Sequence, residues 1–257
     1  MSAAAGNFVW YELMTPDPKK AAAFYRAVIG WQSGDAGMSG GDYTIFSAGA
    51  GQVAGLMGMP PQAVANGAPA GWRGYLAVHD TDAVAARVAA AGGVVRYGPA
   101  DIPGVGRVAS VTDPQGAAFL LFTPAPGSTR PEFAPGTPGT IGWHELAAAD
   151  QASAFDFYAG LFGWTKSTVH DMGPAGTYQL FAVDGADAGG MMTRMDPTAP
   201  PHWTYYVVVE AATAAAARIE SAGGKVTHGP TPVPGGSWVV QATDGQGLGF
   251  AVVAPAP

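Results

Sequence analysis

The chain of 257 residues contains no cysteine, which removes disulfides, thiolate nucleophiles and cysteine-ligated zinc from consideration together. Charge is scarce as well: Asp, Glu, Lys and Arg make up 12% of the sequence, against roughly 25% in ordinary soluble domains. Gly, Pro, Ala, Ser and Thr must therefore cover part of the surface. Twelve Lys+Arg stand against nineteen Asp+Glu for a net charge of −7. Basic residues nowhere cluster densely enough to neutralise a run of phosphates, so nucleic acid is not an expected partner. No apolar run reaches the ~18 residues that a bilayer span needs, and no cationic segment leading into an apolar stretch opens the sequence. The expectation is a soluble, cytoplasmic protein, monomer or homodimer, with no membrane partner.

What the sequence does have is repetition. Trp10-Tyr11-Glu12-Leu13, Asp17, Phe24-Tyr25 and Gly30-Trp31 return as Trp143-His144-Glu145-Leu146, Asp150, Phe157-Tyr158 and Gly163-Trp164, each 133 positions later. A second block returns 131 positions later, Trp72, Ala91-Gly92-Gly93, Asp113 and Gln115-Gly116 as Trp203, Ala222-Gly223-Gly224, Asp244 and Gln246-Gly247. A fixed displacement sustained over both blocks is the mark of a duplicated structural unit. Between the copies, from about Thr123 to Thr140, the chain is rich in Pro, Gly, Ser and Thr and reads as a linker.

Within one copy, Phe8 to Met14 reads as a strand. Asp17 and Pro18 then supply an N-cap and a first-turn proline for a helix to about Ile29, closed by Gly30. Short alternating runs at Tyr43 to Ser47 and Gln52 to Met57 read as strands, and the Gly-rich stretches Gly34 to Gly41 and Gly49 to Gly55 as hairpin loops. The order then restarts: strand Gly74 to Val78, helix Asp82 to Ala91, and strands near Val94 to Tyr97, Arg107 to Val111 and Ala117 to Phe122. Asp113-Pro114-Gln115-Gly116 is a strong turn between the last two. Each half of a copy is a βαβββ unit.

Four such units in tandem, with these strand-Asp-helix-Phe-Tyr-Gly-Trp and Asp-Pro-Gln-Gly signatures, resemble the vicinal-oxygen-chelate superfamily across essentially the whole chain, in particular its two-domain bacterial glyoxalase/bleomycin-resistance members. The resemblance implies an α+β fold of two glyoxalase-like domains with curved mixed sheets: residues 1–125, a Pro/Gly-rich linker at 126–138, and residues 139–257. In the superfamily two units curl their strands into a cup that holds the ligand, and metal-dependent members line it with His, Gln or Glu. Matched position by position, those ligands fall on Trp10 and Trp143, on or beside Trp72-Arg73 and Trp203-Thr204, on Leu120 and Ala251, and near Met57 and Met192. Indole, guanidinium and alkyl groups cannot ligate a hard or borderline divalent ion. The resemblance therefore implies no metal and no cofactor.

Two carboxylates stand out. Glu12 and Glu145 each lie two positions beyond a Trp that the resemblance turns into the cup, so alternation puts them on its face. A carboxylate among apolar groups is costly unless paired, hydrogen-bonded or protonated; it is either a structural tie or a general base or ligand anchor, with Arg73 a candidate partner in the first domain. Trp10 and Trp143 are candidates for an aromatic wall. The expected ligand-contact set is completed by Arg73, Trp72, Trp203, His202, Met57 and Met192, and the remaining His read as structural or surface residues. Two functions stay open: a binding protein for an apolar or aromatic metabolite or antibiotic, and a metal-independent isomerase, cyclase or lyase using Glu145 or Glu12. A metal-dependent glyoxalase or dioxygenase is the rival.

Overall fold

The computed structural model describes residues 5–37, 43–49, 51–65, 67–128 and 133–257. The first half of the chain runs β1 (Phe8–Thr15), α1 (Pro18–Ile29), β2 (Gln32–Asp35), β3 (Tyr43–Ala48), β4 (Gly51–Gly58), a short α2 (Pro61–Ala65), β5 (Gly71–Ala77), α3 (Thr81–Ala90), β6 (Val94–Ile102), β7 (Gly106–Thr112) and β8 (Ala118–Pro124). The second half repeats this as β9 (Ile141–Ala148), α4 (Gln151–Phe162), β10 (Thr165–Asp171), β11 (Thr177–Val183), β12 (Ala186–Thr193), β13 (His202–Val208), α5 (Ala212–Ser221), β14 (Lys225–Pro232), β15 (Trp238–Thr243) and β16 (Gly249–Ala254).

The capping chemistry forms as the sequence dictates. Asp17 accepts the Lys20 amide at 3.1 Å, with Pro18 in the first turn, and Gly30 ends α1 at φ 88°. Asp150 accepts the Ser153 amide at 2.8 Å, and Gly163 ends α4 at φ 73°. The Asp113 turn also forms, its carboxylate receiving the amides of Gln115 and Ala117. Two details differ from expectation. Helix α3 starts at Thr81, one residue before the expected Asp82, with Asp80 as its cap, and β4 runs from Gly51 to Gly58, so the expected strand Gln52 to Met57 forms while most of the Gly49–Gly55 stretch is strand and not loop. Part of the expected Gly34–Gly41 loop, at 38–41, and part of the linker, at 129–132, lie outside the described residues.

The strands form two mixed eight-stranded sheets, one from each half of the repeat, in the orders β2-β3-β4-β1-β5-β8-β7-β6 and β10-β11-β12-β9-β13-β16-β15-β14. The pairs β1/β4, β5/β8, β9/β12 and β13/β16 are parallel, and the hairpin pairs are antiparallel. Contact density groups the chain into two compact units that each draw on both halves: one of residues 1–9, 73–129 and 144–203, the other of residues 10–72, 130–143 and 204–257.

Each unit has an aromatic core. In the first, Tyr158 of α4 stacks on Trp164 (5.1 Å, 9°) and Trp164 on Phe181 (4.2 Å, 8°), while the Trp203 indole donates to the Tyr158 hydroxyl at 3.0 Å. In the second, Tyr25 of α1 packs against Trp31 and Phe46 and its hydroxyl receives the Trp72 indole at 2.8 Å. Edge-to-face and offset ring pairs of this kind add to the area they bury. These cores fix one face of β3, β5, β11 and β13 against a helix, and so leave the alternate residues on the opposite face.

Candidate functional site

In the second unit, Glu12 of β1 pairs in register with Gly55 of β4, and Gly55 with Ile45 of β3. This row lies on the face away from α1, because Phe46, next along β3, packs on Tyr25. Trp10, Tyr43 and Met57 alternate onto the same face. The Trp10 indole donates to the Tyr43 hydroxyl at 3.1 Å. The Tyr43 ring lies directly over Gly55, where a Cβ would overlap its hydroxyl and Cζ. Glu12 is buried, 5% exposed.

The first unit repeats the arrangement. Glu145 of β9 pairs with Gly190 of β12, Gly190 with Leu180, and Met192 with Tyr178. The Tyr178 ring covers Gly190, and its hydroxyl donates to Glu145 Oε2 at 3.1 Å. His144 points to the other face, as alternation requires. Its ring stacks on Phe8 at 4.3 Å, Nδ1 donates to the Ala188 carbonyl at 2.6 Å, and burial pushes its pKa down to about 4. It is a buried, neutral imidazole at physiological pH.

The remaining expected site residues divide. Met57, Met192, Trp10 and Trp143 are half-buried on strand positions that share a face with Glu12 or Glu145. Arg73 is half-buried next to Trp72 on β5 and alternates away from α1, and His202 is exposed at the start of β13, with Nδ1 3.0 Å from the Pro200 carbonyl. Trp72 and Trp203 do not belong with them. Both are buried on the helix side, bonded to Tyr25 and Tyr158, because the two-residue period of β5 and β13 gives that face to them and the opposite one to Arg73 and Thr204. Tyr43 and Tyr178, with their glycine seats, were not expected. Their signal is a third displacement, 135 positions, shared by Tyr43/Tyr178, Phe46/Phe181 and Gly55/Gly190.

On the helix side lie two buried carboxylates. Asp113 accepts the Tyr158 hydroxyl at 3.2 Å on Oδ2, while the matching Oδ2 of Asp244 is buried with no hydrogen-bond partner. Burial raises the pKa of both, against the backbone amides that hold their Oδ1 atoms. Asp244 also borders a groove of about 380 Å³ beside α1, walled by Ala23, Phe24, Ala27 and Gly223.

A sequence model of the Glyoxalase/Bleomycin resistance protein/Dioxygenase superfamily matches residues 7–121 and again residues 140–252. The chain belongs to that superfamily. A Mycobacterium tuberculosis protein named "Putative glyoxylase CFP32" is 34% identical over 252 residues, covering 96% of this chain and 94% of the relative. The "Anthracycline biosynthesis protein DnrV" of Streptomyces peucetius is 34% identical over 275 residues, covering 97% and 94%. Among solved structures, the Mn(II)-bound glyoxalase of Novosphingobium aromaticivorans superposes with a TM-score of 0.66 at 19% identity over 98% of this chain and 82% of its own. The 2,3-dioxygenase LapB of Pseudomonas sp. KL28 gives 0.62 at 13% identity over 99% and 93%. At such identities these structures share the fold with this chain, and a superfamily fold leaves the reaction open.

The residues of this superfamily member do not fit a metal ion at the positions matched to metal ligands. Leu120, buried, sits in one row with Tyr75 and Ser110, and Ala251, fully buried, in one row with Tyr206 and Gln241. Gln241 donates its amide to the Tyr206 hydroxyl at 2.7 Å. Trp10 and Trp143 offer no donor atom, and among the described residues no three His, Cys, Asp or Glu side chains converge. Also among the described residues, no helix is long and apolar enough to cross a membrane.

Proposed function

We propose that this chain binds a small apolar or aromatic metabolite or antibiotic against the sheet faces that carry Trp10–Tyr43 and Glu145–Tyr178, without a resident metal ion. The observation that carries the reading is the residue content of those faces: rings, methionines and one carboxylate each, with Trp10, Trp143, Leu120 and Ala251 at the positions matched to metal ligands. Pockets that are mostly apolar with a few placed polar groups suit flat organic ligands. Similarity to a protein named for anthracycline biosynthesis supports planar polycyclic compounds as the first class to try. The low basic content supports a small-molecule partner over nucleic acid, and the same reading takes the chain as a cytoplasmic monomer or homodimer built from domains 1–125 and 139–257.

A second reading is supported by the Tyr178–Glu145 hydrogen bond: a positioned carboxylate can move a proton, as a metal-independent isomerase, cyclase or lyase requires. One experiment separates the readings. Full-length protein is screened against anthraquinones and related aromatic polyketides by thermal shift, since a ligand that binds only the folded state raises its stability. Hits are then recovered for mass spectrometry, and Zn, Fe, Mn and Ni are measured on the same sample. Binding that survives EDTA, with the compound recovered unchanged, is the expected result; conversion selects the second reading. One metal per domain, whose chelation abolishes binding, overturns both in favour of a metal-dependent glyoxalase or dioxygenase.

A further inference from the structure

Just past the end of β12, a cation is held with donors to spare. The Arg194 amide still donates to the Ala148 carbonyl at 2.8 Å, so the ladder with β9 runs one residue beyond the strand. Alternation then sets the Arg194 side chain on the face of Gly190 and Met192. That side chain is half-buried. Its Nη2 donates to the Pro197 carbonyl at 2.9 Å, while Nε and Nη1 are buried with no hydrogen-bond partner. We infer that Arg194 is a subsite for an acidic oxygen of the bound ligand, a carboxylate or an ionised phenol, so that the ligand is an aromatic acid and not a neutral ring system; the inference rests on the binding function proposed above.

A guanidinium carries five N–H donors and no acceptor, and leaving charged donors buried and unpaired is costly. The carboxylate next in sequence does not relieve the cost. Asp196 gives its Oδ1 to the Thr198 amide and hydroxyl at 2.8 and 2.6 Å and leaves Nε and Nη1 of Arg194 unpaired. Nor does the backbone require an arginine here. The displacement of 135 positions that relates Gly55 to Gly190 matches Arg194 to Met59, whose amide makes the corresponding bond to the Thr15 carbonyl at 3.1 Å. The bond that ties the guanidinium to the following turn is the one to Pro197; once it is given up, the planar head can offer two parallel N–H bonds to a carboxylate. Arg194 lies four residues beyond Gly190, the register partner of Glu145, which is about 13 Å along an extended strand. That separation keeps the charged end of a ligand clear of the Glu145 carboxylate and lays its apolar body across Met192.

The test is titration calorimetry of the full chain with two matched probes, an anthraquinone carboxylate and its methyl ester. Charge-assisted hydrogen bonds are strong enough to favour the carboxylate by about tenfold or more in the wild type. Arg194→Met, which installs the residue of the first copy, should cut that preference to about twofold or less while the ester binds as before. Arg194→Gln, polar but neutral, should lose the preference in the same way, so the outcome does not hang on one variant. Circular dichroism confirms that each is folded. A purely structural arginine would weaken both probes alike when replaced. If the wild type binds the two probes equally, if either folded variant keeps the tenfold preference, or if both probes weaken together, the subsite assignment is wrong while the binding function stands. If neither probe binds the wild type, the binding function fails for this class and the assignment fails with it.

Discussion

Asp113 and Asp244 occupy matching turns, yet only one has its outer oxygen satisfied. Asp113 Oδ2 holds the Tyr158 hydroxyl, whereas Asp244 Oδ2 is buried without a donor. Burial raises both pKa values, so ionisation at neutral pH opposes folding at both sites. Protonation adds stability as pH falls through the folded pKa towards the ordinary 3.8. Asn keeps the Oδ1 acceptor for the backbone amides and removes the charge. At pH 7 Asp244→Asn should therefore raise the urea midpoint or leave it unchanged, while Asp113→Asn gives up the acceptor for Tyr158 and loses about 1 kcal/mol. Equal losses at both sites would show that the Asp244 oxygen has a donor after all. The turn itself was plain in the sequence, since Asp-Pro-Gln-Gly and Asp-Gly-Gln-Gly have turn chemistry of their own. The difference between the two carboxylates was not, because it depends on how a tyrosine from α4 or α1 meets the turn.

At the scale of elements, local chemistry decided what could be foreseen. Helices α1 and α4 are bounded by Asp caps and by Gly30 and Gly163 in the left-handed region at φ 88° and 73°, features that need no tertiary context. A Cβ at either glycine would meet nothing within 4 Å, so Gly30→Ala and Gly163→Ala should each cost about 1 kcal/mol, the backbone strain of an L-residue there. Asn, which tolerates that region better, should cost less. A loss well above 2 kcal/mol in thermal melts would mean that the helix ends carry more than strain. Strand β4 shows the opposite case. Gly49 to Gly55 read as loop and Gln52 to Met57 as strand, an overlap that local chemistry leaves open because glycine weakens a strand; the contact that a glycine accommodates there is a long-range one, the ring of Tyr43 lying on Gly55. The same seat under Tyr178 was hidden because β3 and β11 are displaced by 135 positions, between blocks displaced by 133 and 131. Faces were legible where alternation could be anchored: Glu12 shares a face with Trp10 as expected, but Trp72 and Trp203 needed the positions of Tyr25 and Tyr158 to fix theirs.

Over the whole molecule, duplication and superfamily were readable because many weak signals recur at fixed spacing, while the ligand was not, because it depends on a handful of side chains that the fold leaves free to vary. His144 shows how one such side chain reaches the whole chain's stability. Its pKa is held down to about 4 by burial, from 6.5, so no stability is at stake above pH 6.5. Stability falls as the pH drops through that value, because the unfolded chain takes up a proton that the folded chain refuses. The linkage between those two values amounts to about 2 kcal/mol lost from pH 7 to pH 5. Asp113 and Asp244 act in the opposite sense, but only as the pH approaches their own raised pKa values. His144→Phe keeps a ring to stack on Phe8 and cannot titrate. It leaves the Ala188 carbonyl without its donor, so it should be less stable than wild type at pH 7 by about 1 kcal/mol, yet show a much flatter decline to pH 5. Urea midpoints of both proteins at the two pH values measure this. If the two decline in parallel, the acid sensitivity belongs to other groups and His144 is protonated in the folded chain.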